Sequence, residues 1–189
     1  MDFEAVNDEA PETPQADVPS ARMLSWARNS ASYRLAKQML TERQLRDAIT
    51  RKARQKFEEI SDRQVSALAD FAVSFGYDVG ALNDTTYAEV ATRQGERSGR
   101  SRRAIAQKLS MKGVAAETTK AAVAEVDDLK AAVILARKRA FGPFRRVELD
   151  EKRRGKELSA FARGGFGFDI GRRVCEMSAQ EADEILSGG

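Results

Sequence analysis

Apolar residues recur at three- and four-residue steps almost everywhere beyond residue 20, a period that predicts helices and leaves no segment reading as a strand. Ser20 is placed to cap a first helix with Leu24, Ala27, Ala31, Leu35 and Met39 on its inner face. Thr41-Glu42-Arg43-Gln44 and Ser61-Asp62-Arg63-Gln64 are capping-box patterns. The first opens a helix with Leu45 and Ile49 inward, the second a helix with Val65, Leu68, Ala72 and Phe75 inward, and residues 76–83 then break the run. Asp84 is the expected cap of a helix carrying Tyr87, Val90 and Ala91; Ser101 starts one with Ile105 and Leu109 inward; another covers Glu117 to Val126. A third cycle runs from Leu129 to Arg139, through a Gly142-Pro143 loop, to helices over Asp150 to Arg163 and Asp169 to Met177.

Two of these cycles share a spacing. In Leu109…Gly113-Val114 and Phe161…Gly165-Phe166 an apolar residue stands four before a glycine and another stands directly after it. The pattern predicts an all-α protein of three tandem three-helix repeats, an elongated, curved array with helix-turn-helix-like units. The expected segments are an acidic disordered leader over 1–20, repeats over 21–79, 80–126 and 127–178, and a tail over 179–189. Trp26, Tyr33, Phe71, Phe75, Tyr87 and Phe161 fall on the inward stripes and read as core.

Charge sharpens this picture. The net charge is +3, yet residues 1–20 hold six acids and no base, so the remainder carries about +9. A basic body points to a polyanionic partner, with the acidic leader as an internal competitor. The absence of histidine removes Ser-His-Asp and Cys-His catalysis and ordinary zinc sites, and no phosphate-binding loop occurs. The acids read as capping or solvated residues. Cys175, the single cysteine, fits a reducing compartment and reads as a small core residue. These features predict a protein that is not an enzyme, takes no cofactor or metal, is cytoplasmic and meets no membrane.

The stretch Leu82-Asn83-Asp84, Tyr87-Ala88, Arg93, Gly99, Arg102-Arg103, Ile105, Leu109 and Lys112-Gly113-Val114 resembles the central repeat of the RecX family. Arg163-Gly164-Gly165-Phe166 resembles that family's last glycine-aromatic turn, and the likeness runs from Leu35 to Met177. Two positions depart from it: Ser101-Arg102 stands where Gly-Pro is common, and Asn83 replaces an Asp. The resemblance implies a monomeric, non-catalytic regulator lying in the groove of the RecA–DNA filament. Such a protein inhibits RecA ATP hydrolysis and strand exchange in recombination, DNA repair and the SOS response, with weak DNA contact at most. Tandem helix-turn-helix units also suit a direct DNA binder, and that alternative stays open.

The expected partner-binding cations are Arg93, Arg97, Arg100, Arg102, Arg103 and Lys108 around the second repeat, and Arg145, Arg146, Lys152, Arg153 and Arg154 in the third. Arg102 and Arg103 stand out. In the first turn of a helix a cation opposes the macrodipole, so folding alone favours an acid there. Free backbone amides beside two guanidinium groups would form a receptor for phosphate or carboxylate. Lys112 and Arg137 to Arg139 instead close helices, where a cation is favourable.

Overall fold

Hydroxyl, carboxamide and carboxylate caps open most helices of the computed structural model, which describes residues 17–188. Ten α-helices and one short 3-10 turn make up its regular structure, with no strand among the described residues. The acidic leader assigned to 1–20 falls almost wholly outside the described residues. The helices cluster into two units: 17–38 with 45–81, and 39–44 with 82–188.

The first unit contains α1 (Ala21–Lys37), most of α2 (Glu42–Lys56) and α3 (Asp62–Asp78). Ser20 caps α1 through Met23 N–H, and Ser61 with Gln64 forms the capping box expected for α3. Ala27 and Ala31 are fully buried, as are Leu45, Ile49, Leu68 and Ala72. Trp26 meets Phe57 edge-on at 5.2 Å. Tyr33 and Met39, expected inside, are exposed; Tyr33 instead carries the Lys37 ammonium over its ring. Gly76 does not end α3: it is buried, and the helix continues to Asp78.

The second unit holds two more helix sets. α4 (Asp84–Arg97), α5 (Arg102–Met111) and α6 (Ala116–Ala122) enclose Ala88, Ile105, Leu109, Val114, Val123 and Val126. The cap of α4 is Asn83, whose side chain accepts from Thr86 N–H, rather than Asp84. Val90 faces outward, and Ala88 takes the buried place. α7 (Asp128–Arg139), a 3-10 turn (Gly142–Phe144), α8 (Glu151–Arg163) and α9 (Phe168–Glu176) build the third set around fully buried Phe161. Residues 179–187, expected as a tail, form α10 (Ala179–Ser187), capped by Ser178 and packed on α7 with Ala182 buried.

The shared glycine spacing has a common geometry. Val114 N–H donates to Leu109 O and Phe166 N–H to Phe161 O, both at 3.1 Å, while Gly113 and Gly165 close the inner bonds to Ser110 and Ala162. Both glycines are left-handed (φ +85° and +82°), which completes the helix-ending motif and turns the next apolar residue inward. Gly165 has a second constraint, since a Cβ there would lie 2.6 Å from Ser101 Oγ.

Candidate partner-binding surface

Within the second unit, side chains that cap one helix also bond groups of a later segment. Ser101 accepts Ala104 N–H at the start of α5 and donates 2.7 Å to Gly164 O, the carbonyl after α8. Arg102 N–H, the next amide, donates 2.6 Å to Asp128 Oδ1 at the start of α7. The same joint occurs one step earlier. Thr41 accepts Gln44 N–H and donates 2.6 Å to Lys112 O, the carbonyl after α5, while Glu42 N–H donates to Asp84 Oδ1. Thr41 and Ser101 are completely buried. The adjacent residues Asn83-Asp84 and Asp127-Asp128 therefore divide their work. The first residue caps its own helix, and the second receives an amide from the preceding set. Burial raises the Asp84 carboxyl above its ordinary value, against the lowering effect of the Glu42 amide.

This joint answers the question raised by Arg102. The amides at the start of α5 are not an empty anion receptor, because Ser101 and Asp128 already fill it. Asp128 also supplies the negative charge that the helix start favours. The Arg102 guanidinium turns back to Val126 O at 2.6 Å. Arg103 is exposed, and among the described residues no bond accounts for it.

The expected cations separate into groups. Arg102 and Arg103, with Lys120, border an open groove of about 740 Å³ along α5 and α6, floored by Ala106, Val114, Ala116 and Val123. Arg100 and Lys108 border a separate notch between α4 and α5. Arg93 and Arg97 are exposed on α4, and Arg97 offers its carbonyl to Lys138 Nζ. Arg146 is exposed in the connection before α8, and Lys152 and Arg153 lie in the first turn of that helix. Arg154 pairs with Glu176 at 2.5 Å.

Arg145 is an interior clamp rather than a surface contact. Its guanidinium grips Glu157 through Nε–Oε1 at 2.8 Å and Nη2–Oε2 at 2.9 Å, and reaches Cys175 O at 3.0 Å. Glu157 also accepts Gly142 N–H and is 1% exposed, so not every helical acid is solvated. Burial alone would raise the Glu157 carboxyl, but the Arg145 bonds and the Gly142 amide hold it below the ordinary value. Cys175 sits in the same pocket, where burial pushes its thiol up to about 11. That suits a core residue rather than a nucleophile.

Tandem helix sets, with a repeated cap-to-carbonyl bond and matched glycine turns within the second unit, define a helical-repeat protein. Residues 83–123, spanning α4 to α6, match the family model described as the second three-helix domain of RecX. The chain belongs to the RecX family. It is 64% identical over 173 residues to the regulatory protein RecX of Agrobacterium fabrum, covering 92% of this chain and 94% of that one. It is 35% identical to the regulatory protein RecX of Myxococcus xanthus, over 82% and 86% of the two chains. The crystal structure of RecX from Lactobacillus salivarius shares the fold, with a TM-score of 0.61 and 23% identity over 87% of this chain and 99% of that one. No helix among the described residues is long and apolar enough to cross a membrane.

Proposed function

We propose that this chain is a non-catalytic cytoplasmic regulator that binds RecA–DNA filaments and slows RecA ATP hydrolysis and strand exchange, acting in recombination, DNA repair and the SOS response. The observation that carries this reading is 64% identity, along nearly the full length of both chains, to a protein named regulatory protein RecX. The cations left over by the fold supply a surface for it. Arg93, Arg97, Arg100, Arg103 and Lys108 are exposed on α4, α5 and their connecting turn, with Arg146, Lys152 and Arg153 as a second set. Guanidinium forks there suit phosphate or carboxylate on a nucleoprotein surface.

The test compares binding of the full chain to single-stranded DNA with and without RecA and a non-hydrolysable nucleotide, alongside RecA ATPase assays. The expected result is tight binding only to the RecA-coated strand and a slower ATPase. Equal binding to naked and coated DNA, with an unchanged ATPase, would establish the alternative of a direct DNA binder.

A further inference from the structure

A second cationic site lies within the second unit, at the junction of α4, α7 and α8. Arg100, Arg139 and Arg163 border an open cleft of about 420 Å³, with Leu135, Phe141 and Ala160 among the apolar residues that line it. Gly99 holds the cleft together: its left-handed turn (φ +71°) presses on α7, where a Cβ would lie 2.7 Å from Leu135 N. All three arginines are exposed, and among the described residues none of them forms an ion pair and no carboxylate lines the cleft. In contrast, Arg145 and Arg154 of the same helix set are both matched to glutamates.

Helix ends explain part of this. Arg139 and Arg163 are the final residues of α7 and α8, and Arg100 follows the end of α4. Each helix end contributes about half a negative charge, so three full positive charges overcompensate. They also leave a mixed surface, with guanidinium donors beside the apolar side chains of Leu135, Phe141 and Ala160. A phosphodiester strand offers acceptors only. A peptide with acidic side chains offers carboxylates to the guanidinium groups and can also present an apolar side chain to the lining. The apolar lining adds a seat for one apolar side chain, and Phe141 is held edge-on against Phe161 at 6.1 Å as part of the core.

We infer that this cleft docks an acidic segment of a partner protein, with carboxylates on Arg100, Arg139 and Arg163 and an apolar residue against Leu135 and Phe141. The inference goes beyond the RecA reading and does not depend on it. Its test is fluorescence anisotropy of the full chain with a labelled peptide of Asp and Glu around one central leucine, in the absence of RecA. Arg139→Glu combined with Arg163→Glu is expected to weaken binding at least tenfold. Arg146→Glu with Lys152→Glu, which removes cations outside the cleft, should change it less than twofold. Replacing the peptide leucine by serine should weaken binding several-fold, and a labelled oligothymidine should bind the cleft variant and wild type alike.

Peptide affinity unchanged in a cleft variant with native circular dichroism overturns the inference. So does an equal loss in the Arg146/Lys152 variant, which means unspecific charge attraction, or an equal loss of oligothymidine, which means a phosphate site. If the double variant fails to fold, Arg100→Gln in the exposed turn carries the same test, with at least a threefold loss expected and no loss overturning the inference. Because RecA is absent, this result and the RecA assays fail independently.

Discussion

Ser101→Ala is the most direct probe of the joint between helix sets. The hydroxyl makes two bonds, one from Ala104 N–H and one to Gly164 O, from a completely buried position. Losing an N-cap costs about 0.5–2 kcal/mol. Leaving the Gly164 carbonyl without its partner in a part-buried setting adds about 1–3 kcal/mol. The expected loss is thus about 2–4 kcal/mol, which at a urea slope of about 1–3 kcal/mol/M moves the unfolding midpoint down by on the order of 1–2 M. Urea titration followed by far-ultraviolet circular dichroism measures it. Ser98→Ala is the control, since Ser98 is exposed and bonds only within its own helix end, to Gln94 O. Its cost should stay within about 0.5 kcal/mol. Hydrogen exchange should show faster opening at the start of α5 and the end of α8 together in the Ser101 variant. A Ser101→Ala protein as stable as the Ser98→Ala control would refute the view that this hydroxyl ties the two sets.

Three further outcomes follow from the same contacts. Because the folded Glu157 carboxyl lies below its ordinary value of 4.5, its contribution is full above that pH and lost as pH falls below it. Glu157→Gln should therefore flatten the acid side of the melting-temperature profile, and at neutral pH cost about 3–5 kcal/mol by leaving Arg145 unpaired; an unchanged acid profile would remove Glu157 from the account. Arg103→Glu should leave thermal stability equal or raise it by about 0.3–1 kcal/mol while weakening filament binding, whereas Arg102→Glu should lose about 1–2 kcal/mol with the Val126 bond. Equal melting temperatures for the two variants would contradict that division. Ala140 ends α7 in a left-handed conformation (φ +53°), so Ala140→Gly should stabilise by about 0.5–1 kcal/mol in urea titration, and a destabilised variant would show that its methyl packs usefully.

The helices and matched glycine turns were legible because both follow from local rules, side-chain periodicity and the left-handed preference of glycine. Leu109, Val114, Phe161 and Phe166 fall inside as their spacing requires. The roles of charged residues were not legible in the same way. Glu157 stands among Lys156, Arg153 and Arg154 and reads as a solvated acid; only the fold of the 142–145 turn brings Arg145 and the Gly142 amide onto it. Arg102 looked misplaced in a first turn until Asp128 arrived from another helix. A signal for the joint did exist: Leu82-Asn83-Asp84 and Val126-Asp127-Asp128 are the same apolar-cap-acid triplet. Tyr33 failed because the apolar stripe of α1 is narrower than its periodicity suggests, with only Ala27 and Ala31 buried, and Met39 failed because α1 ends at Lys37, before it.

The repeated joint also gives the chain a direction. The caps of α2 and α5 complete their bonding only on carbonyls and carboxylates that lie later in sequence, at Lys112 and Asp84, then at Gly164 and Asp128. The start of α8 needs nothing of the kind, since Asp150 caps it through Arg153 N–H from an exposed position. The first turns of α2 and α5 therefore depend on chain that is made after them. Without α7 and α8, Ser101 Oγ would lack Gly164 O and the Arg102 amide would lack Asp128, leaving both to water. Residues 127–164 thus hold the partners that complete the start of α5.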